Sequence, residues 1–189
     1  FFMAKFKMHP FISTMANMLI IFGLVTYATK GVSFGAIDPA IPNIFIPKAG
    51  RFPMIILWAI IAVVVVWFIW NKTTFGKNLY AVGGNPEAST VSGISVFKVT
   101  MGAFIMAGIL YGFGSWLECL RMVGSGSAAY GQGWDMDAIA ACVVGGVSFT
   151  GGIGKISGVV TGVLIFTSLT YSLTILGIDT NLQFIFEGI

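Results

Sequence analysis

The 189-residue chain is 57% hydrophobic and only 9% charged, with a formal net charge of +3 and a mean hydropathy of +0.93. A soluble domain carries about 25% charged residues, so this chain lacks the polar surface to cover a globule, and its solvent is mostly lipid. The same scarcity of charge excludes a nucleic-acid-binding module.

Taken in chain order, uncharged stretches cover Pro10–Thr29, Pro53–Trp70, Val99–Leu117, Ala138–Gly154 and Ile156–Leu176. About 20 apolar residues cross a hydrocarbon core of about 30 Å, which predicts an all-α, polytopic transmembrane bundle in one domain over 1–189. A further run, Leu182–Phe186, begins near the end. The first residue is Phe1 and the last residues lie inside a further apolar run, so the chain reads as a fragment lacking N-terminal spans and a C-terminal end.

The first span carries Ser13 and Asn17 one helical turn apart. The second is almost wholly Ile, Val, Ala and Trp, which predicts lipid contact on most sides, and Trp67 and Trp70 at its end fit an interfacial anchor. In the fourth stretch Gly145–Gly146 and Gly151–Gly152 flank a VSFT tetrapeptide. Glycine at that density predicts a broken or re-entrant helix, tolerated at membrane depth only beside protein or a water-filled cavity.

Gly154, Gly158 and Gly162, leading into the last full span, repeat at four-residue spacing, which predicts close helix packing. The second half of that span carries hydroxyls, among them Ser168 and Ser172. These two, with Ser13, Asn17 and Asp137, are candidates to line a polar path, although hydroxyls also serve simply to join helices.

Loop charges give an orientation. If residues 1–8 are cytoplasmic, the inner segments hold Lys5, Lys7, Lys72, Lys77, Lys98 and Lys155, and the outer ones Lys30, Lys48, Arg51 and Arg121. The excess places 71–98 inside, provided that 138–154 crosses.

No chemistry of its own is legible. The GGIGKIS run fails as a phosphate-binding loop, because Gly154-Lys155 is followed by Ile156 and position 149 is Phe. His9 stands alone, and neither Cys119 nor Cys142 has metal-ligand or disulfide spacing. No metal, cofactor or catalytic residue is therefore expected in this chain. The spans are free of charge, which argues against an ion-coupled carrier, whose ionisable residues usually lie within the membrane. An anchor subunit is the remaining rival.

Residues 71–98 form a polar island between two apolar runs. The island carries Phe75, Gly76, Lys77, Tyr80, Ala81, Gly83, Gly84, Asn85, Ala88, Ser92, Gly93 and Ile94, preceded by Thr73 and Thr74. A second segment carries Asp135–Ala141, Gly145, Gly146, Ser148, Gly151, Gly152 and Gly154. These two motifs, in this order, resemble those of bacterial sugar ABC-importer permeases of the ribose, xylose and galactose group, related to branched-chain amino-acid permeases. Ser89 stands where the family has alanine. The resemblance covers essentially the whole chain.

It implies a multi-pass subunit of the bacterial inner membrane, paired with a second permease copy. A cytoplasmic ABC ATPase would carry ATP and magnesium, and a periplasmic sugar-binding protein would deliver a monosaccharide, with galactose or a methyl-galactoside implied by the GIDTNLQ end. Gly83, Gly84, Asn85, Pro86, Glu87 and Ala88 would then form the coupling loop. The residues themselves read as a turn at Gly83–Gly84, an Asn85 cap, Pro86 at the first helical position and Gly93 as the stop.

Overall fold

A computed structural model of the chain describes residues 8–33, 38, 40–45, 48–49, 52–122, 126–179, 182 and 185. Most of the Leu182–Phe186 run, and Lys5 and Lys7, lie outside them. Among the described residues eight helices have defined bounds: α1 Pro10–Thr29, α2 Ala40–Phe45, α3 Ile55–Lys72, α4 Thr74–Gly84, α5 Pro86–Val91, α6 Val96–Arg121, α7 Trp134–Val144 and α8 Ile156–Ile175. A two-residue antiparallel ladder, β1 Lys48–Ala49 with β2 Phe52–Pro53, closes the turn before α3, and it is too short to form a layer.

α1, α3, α6 and α8 are long and apolar enough to cross a membrane. At 1.5 Å per residue the 26 residues of α6 extend about 39 Å, whereas the 11 of α7 extend about 16 Å. The expected span 138–154 is thus a half-length helix followed by irregular chain. Glycine dihedrals cause the break: Gly146 has φ +81°, and Gly151 and Gly152 have +92° and +72°, values that only glycine adopts readily.

Among the described residues only Val99, Leu117, Leu120 and Ala141 are buried apolar side chains, while Leu19, Leu24, Ile109 and Ile175 are more than half exposed. That is the inverse of a soluble core, and lipid or further helices must cover these faces. On α3 only a stripe through Ile55, Trp58, Ala62, Val66 and Ile69–Trp70 turns inward, at the three- and four-residue spacing of one helical face. The rest of the helix is exposed, as its unbroken apolar sequence requires.

Each end of the bundle has an aromatic belt. At the Arg121 end of α6, Trp58 Nε1 donates to the Phe45 carbonyl at 3.0 Å. Phe45 and Trp116 meet edge to face at 4.8 Å, and Trp58 meets Phe113 at 5.8 Å. At the α4 end, Lys72 Nζ lies 5.7 Å from the Trp67 ring centroid. Rings with a polar edge suit the interface between hydrocarbon and headgroups.

The direction of the chain after α6 follows from contacts. Tyr130 donates to Glu118 Oε1 at 2.7 Å and stacks edge to face on Trp134 at 5.2 Å, so α7 starts beside the Arg121 end. Tyr80 of α4 bonds to Gly154, so α8 starts at the α4 end. Residues 134–155 therefore return along the bundle, with α7 antiparallel to the first part of α8.

Glycine sets the α7–α8 distance. A Cβ on Gly158 would overlap the Gly145 carbonyl, and one on Gly162 the Ala141 carbonyl. At Gly154 a Cβ would fit more easily but tightly, 3.3 Å from a Val147 methyl. Overpacking of this kind costs about 1–3 kcal/mol. Gly162→Leu is expected to lower the thermal unfolding midpoint of the purified protein in detergent. Gly108→Ala, where nothing lies within 4 Å, should leave it unchanged or raise stability by up to about 1 kcal/mol through helix propensity.

Candidate functional site at the α4 end of the bundle

The polar island folds into two helices and three caps, not into a loop around one helix. Thr73 makes the first corner. Its hydroxyl donates to the Ile69 carbonyl at 2.6 Å and accepts from Gly76 N at 3.3 Å, so one side chain serves the end of α3 and the start of α4. The chain turns so tightly there that a Cβ on Gly76 would overlap the Trp70 carbonyl.

α4 is then fixed to two other helices. Phe75 covers Gly102 of α6, where a Cβ would lie 2.7 Å from the ring. Tyr80 Oη donates to the Gly154 carbonyl at 2.8 Å, just before α8. Next to it the backbones of Gly83 and Gly152 touch: a Cβ on Gly83 would fall 2.6 Å from Gly152 N, and one on Gly152 would fall 2.7 Å from Gly84 Cα. Any side chain at these positions would separate the two segments.

Gly83 and Gly84 are thus the last residues of α4 and make no turn. Neither has a positive φ. The corner is made by Asn85, whose backbone is extended at φ −152°, ψ 101°, and whose side chain accepts from Ala88 N at 3.0 Å. Pro86 opens α5, and Glu87 sits in its first turn, where the helix dipole favours a carboxylate.

α5 ends in a Schellman motif. Gly93, at φ +79°, donates to the Thr90 carbonyl at 3.0 Å, and Ile94 to the Ser89 carbonyl at 2.9 Å. Ser95 caps α6 through Lys98 N at 3.4 Å.

The six-residue helix α5 is anchored by one side. Ser89 is buried, and its hydroxyl donates to the Asn85 carbonyl at 2.8 Å, so a serine in place of alanine carries no unmet hydrogen bond. Gly84, Asn85, Pro86, Glu87 and Ala88 are exposed, and Gly83 is half-buried. Val91 is 91% exposed, an apolar side chain presented to solvent at the tip. With both ends capped and its inner side fixed, α5 offers a rigid surface. Among the described residues no group of His, Cys, Asp and Glu is placed to hold a metal ion.

The path candidates are spread over three helices. Ser13 is half-buried and Asn17 exposed on α1, Asp137 is half-buried in the first turn of α7, and Ser168 and Ser172 are exposed on α8. The Ser172 hydroxyl donates to the Ser168 carbonyl at 2.7 Å. No hydrogen bond joins these α8 serines to Ser13, Asn17 or Asp137.

At the opposite end Glu118 accepts from Arg121 and from Tyr130, which ties the segment before α7 to α6. The bond to the Glu118 carboxylate raises the pKa of the Tyr130 phenol above its usual value. Sequence reasoning missed this cluster because Tyr130 lies beyond the end of α6, where helical spacing no longer tells which side chains meet. It also missed the Gly83–Gly152 contact, whose only trace is two glycine pairs.

Residues 1–189 match the family described as branched-chain amino acid transport system / permease component. The galactose/methyl galactoside import permease protein MglC of Treponema pallidum is 56% identical over 201 residues, covering 100% of this chain and 37% of that protein. The protein of the same name from Escherichia coli K12 is 43% identical over 192 residues, covering 98% and 57%. The ribose import permease protein RbsC of Bacillus subtilis is 35% identical over 190 residues, covering 98% and 58%. The chain thus spans between about a third and three fifths of the length of these relatives. No solved structure matches it. With four helices among the described residues able to cross a membrane, the chain is a multi-pass inner-membrane protein and belongs to the family of branched-chain amino acid transport system permease components.

Proposed function

We propose that the chain forms part of the membrane-spanning permease subunit of an ATP-driven sugar importer, and that α5 is the element through which a cytoplasmic ATPase moves the bundle. The observation that carries this reading is the α4–α5 unit. An exposed, doubly capped helix is joined through α4 to α3, α6 and the start of α8. A load on α5 would reach α3 and the start of α8 through close backbone approaches, and α6 through the Phe75 ring.

The names of the relatives point to a monosaccharide such as galactose or a methyl galactoside as cargo. ATP and magnesium belong to the partner ATPase in this reading. A periplasmic binding protein delivers the sugar, and a second permease copy completes the translocation unit. Transport proceeds by alternating access, with the hydroxyl-bearing half of α8 beside the path and its glycine half packed on α7 at the inner side.

Three outcomes are expected. The first concerns orientation. A cysteine at exposed Ser92, in an otherwise cysteine-free full-length protein, should react with a membrane-impermeant thiol reagent only after the inner membrane of spheroplasts is opened. Labelling of intact spheroplasts would reverse the orientation.

The second concerns coupling, read as sugar-stimulated ATP hydrolysis by the reconstituted complex. Glu87→Arg places a cation at a helix N-terminus and should abolish stimulation. Gly84→Pro breaks the last hydrogen bond of α4, at about 3 kcal/mol, and should do the same. Tyr80→Phe loses only the bond to Gly154, about 1 kcal/mol, and should weaken stimulation while leaving insertion intact. Normal stimulation in all three variants would remove α5 and its support from the coupling route.

The third concerns the path. Ser168→Ala and Ser172→Ala should leave protein level nearly unchanged, because hydrogen bonds in membranes average about 0.6 kcal/mol. Sugar uptake should change more than protein level does. Uptake that only tracks protein level would take these hydroxyls off the path.

A further inference from the structure

A groove of about 600 Å³ opens beside the α4–α8 contact. Its walls are apolar, with Ala62, Val66 and Trp70 from α3, Leu79 from α4, and Ile156 and Val160 from α8. It follows α3 from Trp70 to Ala62, roughly 12 Å at 1.5 Å per residue. At the α4 end it adjoins a second recess of about 410 Å³. The two share Tyr80, Gly152, Gly154 and Lys155, and the recess adds Gly158 and Ser157.

Two chemistries therefore meet. An apolar slot runs along membrane-crossing helices, and a glycine-lined recess beside a lysine lies where those helices leave the membrane. The electrostatics of the recess have one sign. Lys155 is exposed, and no carboxylate lines either cavity. No side chain caps α8 at Lys155, so its first-turn amides add further positive potential. Lys72, Lys77 and Lys98 belong to the same end, where Glu87 on α5 is the only acidic residue between positions 71 and 98.

We propose that this composite groove holds an anionic phospholipid, with one acyl chain in the slot along α3 and the phosphate in the recess beside Lys155. The volume falls within the roughly 300–1,000 Å³ in which proteins enclose small ligands. Basic recesses between membrane helices suit lipid headgroups of net negative charge. A zwitterionic lipid brings an ammonium group towards the same lysine and is disfavoured. This inference rests on the membrane placement of the chain and not on its part in transport, so the two stand or fall separately.

The test is native mass spectrometry of the full-length protein in detergent. It is offered palmitoyl-oleoyl phosphatidylglycerol or phosphatidylcholine with the same acyl chains. One equivalent of phosphatidylglycerol should be retained about fivefold better, the effect of one lysine beside an anionic headgroup. Lys155→Gln should bring it down to the phosphatidylcholine level, and Lys30→Gln, at the end of α1, should not. Val66→Trp, which fills the slot, should release both lipids. If Val66→Trp does not fold, Lys155→Gln alone decides.

Equal retention of the two lipids by the unmodified protein, or a preference that survives Lys155→Gln, would overturn the proposal. So would a lipid-free dimer that Val66→Trp dissociates, because a second copy would then occupy the groove.

Discussion

The approach of Gly83 to Gly152 is the constraint on which the α4 end of the molecule depends. Two backbones touch where a Cβ on either side would fall 2.6 or 2.7 Å from the facing main chain, too close to fit without a shift. Glycine loses more conformational entropy on folding than other residues, and α4 ends with two of them although they weaken a helix. What the fold gains is a contact between main chains, with no side-chain torsion able to absorb a displacement. The Tyr80 bond to Gly154, one helical turn away, fixes the rotation of α4 about that contact. The position of α4, and through Asn85 that of α5, is thereby set from α8 as well as from α3.

The polar backbone of residues 71–98 is handled by the same economy. Three helix starts fall within this stretch, and Thr73, Asn85 and Ser95 each supply a side-chain oxygen to one. Each cap is worth about 1 kcal/mol. Their larger effect is geometric, because a capped helix has a defined first turn and a defined angle of entry. At the other end the Glu118–Arg121 pair has side chains 52% and 21% exposed, in the order Arg121 and Glu118. Exposed pairs contribute about 0–1 kcal/mol, so this end is held by its aromatic contacts more than by charge.

The membrane architecture was legible because it follows from composition and length. The four long helices coincide with uncharged runs, and their ends differ from the sequence reading by a few residues where capped polar turns extend them. Asn85, Pro86 and Gly93 act locally, and local chemistry can be read from a sequence. Gly83 and Gly84 were misread as a turn for a related reason. Glycine in a sequence signals either unusual dihedrals or close approach, and only the structure shows that the φ values here are ordinary and the neighbour is Gly152. The glycine pairs at 145–146 and 151–152 pointed to a broken or re-entrant helix, but they did not tell that α7 starts at Trp134 and stops at Val144.

The motif residues of the island fall into two groups by what they touch. Thr73, Phe75, Gly76, Tyr80 and Gly83 all face inward, onto α3, α6 and the start of α8. Pro86, Glu87, Ala88 and Val91 face outward and are exposed. The inward group accounts for itself as the framework of α4. The outward group does not, because Val91 at 91% exposure gains nothing from the fold, and Pro86 and Glu87 do more than a cap needs. A helix of six residues is also too short to be stable alone. It persists because α4 and α6 hold it, which means that the bundle maintains α5 and not the reverse. α5 is thus an exposed element that the fold supports, which is in keeping with the docking role proposed for it.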